Sequence, residues 1–268
     1  KLRPASHAAE VRAEFLREVL WAGPSEIEKE ALTIPEDLRE LFMAPEDISL
    51  DSRISWEEVR DGILRQADNK SMRSLGIPVE IWKVLANSQL VDCLEELYNL
   101  ALDHAVVPDD FDFEKIFSLF KKGDTADLKN YRWLGLIDGL CKILGSILVR
   151  RLNQHIRKYL RREFFGFVPG VGTREMNFYL RRLMDWYLHH PEIHLFIHSL
   201  DFIKAFDSVH PHLLEEVFRH WGIPKKMCAL LMRLNKCEYE VMGGRGHPNS
   251  HRQTQERGLR TGDPLAPV

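Results

Sequence analysis

Two aspartates that follow an apolar run are the residues of this sequence best suited to bind a cation. The stretch His194 to His210 reads HLFIHSLDFIKAFDSVH and carries carboxylates at Asp201 and Asp207. An ionised carboxylate at the end of a buried strand loses hydration, so it needs a metal or a basic group beside it. Two interpretations of Asp201 are open from this pattern. It is either a cation ligand on a sheet edge or a helix N-cap or turn residue after a strand.

Basic residues are concentrated between Lys121 and Arg174, whereas residues 1–60 are acidic and the net charge is -3. A localised basic region, rather than net charge, is what a polyanion would meet. A solvated helix face explains the same charges equally well. His194 and His198 share one face of the apolar run, but with no third ligand apparent we expect packed or surface histidines.

Composition excludes several classes of protein. The chain has 268 residues, of which 44% are hydrophobic, which is enough for one large or two small domains. Four widely separated cysteines without a C-x-x-C pair argue against a zinc site or a disulfide framework and indicate an intracellular setting, nuclear or cytoplasmic. No apolar run approaches the roughly 18 residues of a membrane span, so no membrane partner is expected.

Helices with a few separated strands predict an α/β or α+β fold. The serines at Ser25 and Ser55, each followed by Glu three residues later, are expected capping boxes. The predicted helices are 7–20, 55–67, one or two within 79–105, 134–156, 178–188, 212–221 and 227–234. The predicted strands are FEKIFSLF, Ile193–Leu200 and Glu238–Met242, the last with a turn at Gly243 and Gly244.

Six segments in a fixed order resemble the reverse transcriptases of non-LTR (LINE-type) retrotransposons. They are NKSMRSLGIP (69–78), FKKGD (120–124), NYRWLGLIDGLCKILGSILVRRL (130–152), GFVPGVGT (166–173), LDFIKAFDSV (200–209) and GLRTGDPLAP (258–267). Each is weak alone, but six in order over about residues 53–268 make a strong signal. The resemblance implies an RNA-directed DNA polymerase that extends a DNA primer with dNTPs on an RNA template.

The resemblance also implies a right-hand polymerase fold that is helix-rich, with fingers, an incomplete palm and no thumb. We expect an N-terminal helical, acidic extension or linker (1–52), fingers and early palm (53–192) and a partial palm (193–268). The palm part runs from the segment that resembles motif A (200–209) to the one that resembles motif B (258–267). Ile193–Leu200 would be the central palm strand, and a finger hairpin at 114–131 would bring Arg132 toward Asp201.

Motif A is where the resemblance places catalysis. It implies that Asp201 is the catalytic carboxylate and a ligand of two Mg²⁺ ions, together with the backbone carbonyl of Phe202. Phe206 would exclude a ribose 2′-hydroxyl, and Asp207 is expected to cap a helix. Further nucleotide-binding residues implied are Lys121, Lys122, Arg132, Gly258, Thr261 and Gly262. Nucleic-acid contacts are implied for Arg150, Arg151, Arg157 and Lys158.

Several positions depart from the family pattern. Residues 72–75 lack the usual Pro-Gly-Pro-Asp turn, Thr261 replaces a Gln and Ala266 replaces a Ser. The printed sequence ends inside motif B, before the family's hairpin with two adjacent aspartates. We therefore expect this fragment to be catalytically inactive by itself. An inactive nucleic-acid-binding or scaffold protein derived from a retrotransposon is the alternative function.

Overall fold

Helices packed against a four-stranded mixed sheet make up the described part of the fold. This computed structural model describes residues 8–23, 43–69, 77–190, 192–243 and 248–267. Most of the segment NKSMRSLGIP lies outside these ranges, as do the expected capping box at Ser25 and most of the turn after Gly243.

The helices begin and end at residues that satisfy their free backbone groups. Ser55 accepts a hydrogen bond from the Glu58 amide (3.3 Å), and the Glu58 carboxylate accepts one from the Ser55 amide (3.0 Å), which confirms this capping box. The α-helices are α1 Ala8–Phe15, α2 Trp56–Leu64, α3 Val79–Val84, α4 Leu90–His104, α5 Gly139–Ile156, α6 Thr173–Leu188, α7 Pro211–His220 and α8 Lys225–Asn235. A π-helical turn, Leu16–Leu20, continues α1.

The sheet has the strand order β2-β1-β3-β4. Its strands are β1 Phe113–Phe120, β2 Tyr131–Leu136, β3 Glu238–Val241 and β4 Gln253–Thr254. β1 pairs antiparallel with β2 and parallel with β3, and β3 pairs antiparallel with β4. The predicted strand FEKIFSLF is thus confirmed, and residues 114–131 lie in a β1–β2 hairpin as expected.

Two clusters of buried apolar side chains hold these elements together. The larger cluster lies between α2, α4, α5 and α8 and includes Ile63, Leu102, Leu148 and Leu231. The smaller one joins the N-terminal helix to one face of the sheet through Leu16, Trp21, Ile116, Trp133 and Tyr239. Residues 8–23 are therefore part of the folded core.

The helix predicted over Leu134–Ile156 begins later than expected. Its first residues belong to β2, where Leu134 pairs with Phe117 of β1. Asp138 accepts a hydrogen bond from the Leu140 amide (2.8 Å) and starts α5 at Gly139. Strand pairing and this cap together outweigh the helical spacing of the apolar residues.

The predicted palm strand at Ile193–Leu200 is wrong for this structure. The segment is irregular, and most of its apolar side chains are exposed, with Phe196 at 79% and Leu200 at 88%. A strand needs a neighbour for its backbone hydrogen bonds, and no strand of the described sheet pairs with this segment. Asp201 therefore follows an exposed loop rather than the end of a buried strand.

Candidate functional site

Motif B packs directly on motif A through backbone contacts. The Leu259 and Gly258 amides donate to the carbonyls of Phe206 (3.0 Å) and Val209 (2.8 Å). Gly258 has φ +90°, and a methyl group there would lie 3.1 Å from the Asp207 Cα. Glycine is required by both the backbone conformation and the close approach.

The other end of motif B contacts the β1–β2 hairpin. The Gly135 amide of β2 donates to the Thr261 hydroxyl at 3.1 Å. A methyl group at Gly135 would overlap the Thr261 carbonyl oxygen, and one at Gly262, where φ is +97°, would overlap the Gly135 carbonyl oxygen. Motif B thus contacts both the hairpin and motif A, so the three segments that the resemblance predicts to bind the nucleotide are held together.

Motif A presents its proposed ligands to solvent. Asp201 is exposed and Phe202 is 82% exposed, while Phe206 is 40% exposed and contacts the Phe167 ring edge-on at a centroid distance of 6.3 Å. His194 and His198 are exposed as well. Within the described ranges, no three His, Cys, Asp or Glu side chains are grouped closely enough to hold a metal ion. Asp201 and the Phe202 carbonyl would therefore supply only part of the shell of an oxygen-coordinated divalent ion.

The basic residues predicted to grip a nucleotide lie on the exposed part of the hairpin. Lys121 and Lys122 follow β1, where the Lys121 amide donates to the Asn130 carbonyl at 2.9 Å. Arg132 lies opposite Leu119 in the ladder, and its side chain is exposed. Arg132 and Gly135 both belong to β2, and Gly135 contacts motif B. Arg132 therefore lies on the strand that meets motif B.

Asp207 does not cap the following helix. The residue before α7 is His210, and the Asp207 carboxylate instead accepts a hydrogen bond from the Trp21 indole Nε1 at 3.0 Å. The helix-cap prediction is wrong because α7 begins only at Pro211 and the Asp207 carboxylate accepts from the buried indole N–H instead. No sequence signal linked Trp21 to motif A.

Arg151 has an internal structural role instead of the predicted nucleic-acid contact. Its guanidinium is buried and pairs with both carboxylate oxygens of Glu58, at 2.7 and 2.6 Å. It also donates to the carbonyls of Leu50, Ser52 and Arg53. These bonds occupy Nε and both terminal nitrogens, so Arg151 ties α5 to α2 and is not available to a phosphate.

The other three residues predicted to contact nucleic acid, Arg150, Arg157 and Lys158, are exposed. Arg150 pairs with Asp61 at 3.2 Å, and Lys158 pairs with Asp47 at 3.6 Å. Arg157 is exposed where α5 ends. Acidic residues at positions 47 and 61 thus pair with part of the basic region, so some of these basic side chains have acidic partners within the fold.

Exposed aromatic and basic side chains are frequent further along the chain, and of these only Arg157 was among the predicted nucleic-acid contacts. Helix α6 has no buried residue, and several of its large side chains are exposed. Exposed aromatics within 159–186 are Tyr159, Phe164, Phe167, Phe178, Tyr179 and Trp186. Exposed arginines in the same region are Arg157, Arg161, Arg162, Arg174, Arg181 and Arg182. Aromatic rings among arginines are suited to stacking and phosphate contacts with single-stranded nucleic acid.

A buried group of charged residues, Glu114 with Arg260 and Asp263 of motif B, was also missed. Arg260, 1% exposed, donates to the carbonyls of Phe111 (2.8 Å) and Leu234 (2.9 Å). Burial raises the pKa of Glu114 to about 7 although the Arg260 charge acts to lower it. Burial likewise raises the pKa of Asp263, again against Arg260. The only sequence signal was a charged side chain inside the strand FEKIFSLF and an arginine between the motif B glycines.

None of the helices in the described ranges combines the length and apolar character needed to cross a bilayer.

Comparison with known proteins finds one family and two curated relatives. Residues 120–268 match the family described as reverse transcriptase (RNA-dependent DNA polymerase). The "Retrovirus-related Pol polyprotein from type-2 retrotransposable element R2DM" of Drosophila melanogaster is 28% identical over 143 residues, which cover 52% of this chain and 13% of that protein. The "Retrovirus-related Pol polyprotein from type-1 retrotransposable element R2" of Nasonia vitripennis is 27% identical over 180 residues, 66% of this chain and 17% of that protein. The aligned part is less than a fifth of either relative's length.

Proposed function

The chain belongs to the reverse transcriptase family, and we propose that it supplies the nucleotide-handling part of an RNA-directed DNA polymerase of a LINE-type retrotransposon. One observation carries the proposal. Motif B contacts both the motif A turn, through Phe206 and Val209, and the hairpin strand that bears Arg132. These contacts between segments far apart in the sequence support a single nucleotide site that is built from all three.

The proposed roles follow from residue chemistry and placement. Arg132, with Lys121 and Lys122, offers guanidinium and ammonium donors to a triphosphate from the exposed side of the hairpin. Phe206, whose backbone carbonyl is bonded to motif B, would exclude a ribose 2′-hydroxyl with its bulky side chain. Gly258 and Gly262 let motif B pack closely on Asp207 and Gly135, and so hold it beside the proposed nucleotide site.

Reverse transcriptase domains use divalent metal ions, and Mg²⁺ is the ion proposed for this chain. Asp201 and the Phe202 carbonyl would be its ligands. These two oxygens cover only part of an ion's shell, so the nucleotide phosphates and further protein residues would supply the rest. What this chain contributes is the positioning of the nucleotide and one carboxylate.

The proposal is tested by primer extension on an RNA template, using the longest natural protein that contains this chain. Asp201→Ala should reduce dNTP incorporation by at least about 100-fold, because a ligand for the reacting centre is lost. RNA affinity at a fixed salt concentration should stay within about twofold, since phosphate contacts come from other residues. Glu192→Ala, which removes an exposed carboxylate nine positions upstream, is the matched control.

A non-catalytic RNA-binding role is the second candidate, favoured by the exposed aromatics and arginines of residues 157–186. It predicts salt-sensitive binding of single-stranded RNA with no incorporation by either the wild-type protein or the Asp201→Ala variant. Equal, measurable incorporation by both proteins would contradict the assigned role of Asp201.

A further inference from the structure

The N-terminal helix reaches motif A, although it lies far outside the residues that match the family. The match begins at residue 120, whereas α1 and the π-helical turn after it occupy residues 8–20. Their apolar side chains pack on the sheet beside Trp133 and Tyr239. At the far end of the sheet, the Glu10 carboxylate accepts a hydrogen bond from the His251 amide at 2.8 Å. The segment is therefore fixed to the hairpin and to the loop that precedes β4.

Trp21 makes the most specific of these contacts. Its side chain is 1% exposed, and its ring meets Tyr239 edge-on with centroids 4.8 Å apart. A buried indole N–H needs an acceptor. It finds one in the Asp207 carboxylate, 3.0 Å away, in a bond strengthened by the negative charge.

A second contact reaches the same turn from α1. The Lys204 ammonium lies 5.7 Å from the centroid of the Phe15 ring, within the range of a cation–π interaction. Lys204 has φ +54°, a conformation that is unfavourable for a residue other than glycine. Such a backbone persists only when its surroundings hold it in place. Phe15 and Trp21 contact the turn through their side chains, and motif B contacts it through backbone hydrogen bonds.

We propose that residues 8–23 act as a latch that holds the motif A turn, with Trp21 and Phe15 as positioning residues. The Trp21–Asp207 bond fixes the residue next to Phe206, and motif B binds the Phe206 carbonyl. The latch thereby sets the position of the side chain proposed to select the sugar. The inference uses the proposed function only for the role of Phe206, and the contacts themselves can be tested without it.

Hydrogen–deuterium exchange on the 268-residue chain tests the latch. The reporters are the amides of Ser208, Gly258 and Leu259, whose bonds to Lys204, Val209 and Phe206 hold the turn. Trp21→Phe keeps an aromatic ring and removes the N–H donor. A hydrogen bond to a charged group stabilises the local structure that it holds. Its loss should therefore raise the exchange rate of the reporter amides by about tenfold relative to the amides of α5.

Two controls separate the latch from general loosening of the core. Tyr239→Phe removes a different hydrogen bond of the same cluster, the one from its hydroxyl to Gln253 (3.0 Å), and should leave the reporter-to-α5 ratio within about twofold of wild type. Asp207→Asn keeps an acceptor for Trp21 and should restore most of the protection that Asp207→Ala removes. If Trp21→Phe fails to fold, Asp207→Ala replaces it as the variant that removes the bond. Asp207 is only partly buried, so its replacement should disturb the core less.

The double variant Trp21→Phe/Asp207→Ala should show no more reporter exchange than either single variant, since both remove the same bond. Additive effects, or equal reporter exchange in Trp21→Phe and Tyr239→Phe, would overturn the latch. Exchange is measured without nucleotide or template. A protein with intact latch behaviour and no primer extension would therefore contradict the proposed function alone.

Discussion

Replacing Arg151 by Met should destabilise the protein strongly, although the residue lies in a basic stretch that looks like surface. Methionine keeps an unbranched apolar stem and removes the guanidinium. Glu58 would lose both short hydrogen bonds, and the carbonyls of Leu50, Ser52 and Arg53 would lose their donor. Breaking a buried ion pair from one side costs more than the pair contributes, because a charge is left without its partner.

The size of the effect follows from the burial of the two partners. The Arg151 side chain is 8% exposed and that of Glu58 is 27% exposed. Removing one partner of a fully buried ion pair lowers the free energy of unfolding by about 3–5 kcal/mol. Because water can reach part of Glu58, we expect the lower end, about 3 kcal/mol. For a chain of this size, that corresponds to a fall in Tm of roughly 6–12 °C.

Chemical denaturation with urea, followed by circular dichroism, measures this loss of unfolding free energy. Arg150→Met is the matched control, because Arg150 is the adjacent residue, 44% exposed, and makes one ion pair with Asp61. Its effect on stability should stay within about 0.5 kcal/mol. Equal stability losses for the two variants, or a loss below about 1 kcal/mol for Arg151→Met, would refute the internal role of Arg151.

Two further predictions concern the contacts around motif B. Glu114 has its pKa raised by burial from 4.5 to about 7; the folded state therefore binds the proton more tightly, and stability should fall by about 3 kcal/mol as pH rises from 4.5 to 7. Glu114→Gln should remove most of that fall in urea titrations at a series of pH values, and an unchanged pH dependence would contradict it. Gly135→Ala should lower stability by about 2 kcal/mol or more, because its methyl group overlaps the Thr261 carbonyl. Gly166→Ala, where an added methyl group meets no atom within 4 Å, is its control in thermal melts, and matching Tm values would contradict the close approach.

Local sequence signals predicted those elements whose stabilising contacts are close in sequence. The pair Ser55 and Glu58 sets the start of α2, and the run FEKIFSLF predicted β1. The helix predicted from Leu134 overran into β2 because apolar spacing does not show that Phe117 pairs with Leu134. Asp138 was the available signal for where the helix begins.

Contacts between distant segments could not be inferred from the sequence. Arg150 and Arg151 are neighbours of the same type, yet one is exposed and the other is enclosed by residues about a hundred positions earlier. The same holds for Trp21 and Asp207, which are 186 positions apart. For Ile193–Leu200, strand-like composition was insufficient, because a strand also needs a partner to bond with.

The most direct test of the account is to map where a dNTP binds, using a photo-crosslinking dNTP with the natural protein that contains this chain, an RNA template and a DNA primer. The central claim is that the β1–β2 hairpin, the motif A turn and motif B form one nucleotide site. The account predicts labelled peptides from residues 113–136, 200–209 and 258–267, with labelling competed by unmodified dNTP and reduced by Arg132→Met. Labelling confined to other segments, or unaffected by Arg132→Met and by competing dNTP, would contradict it.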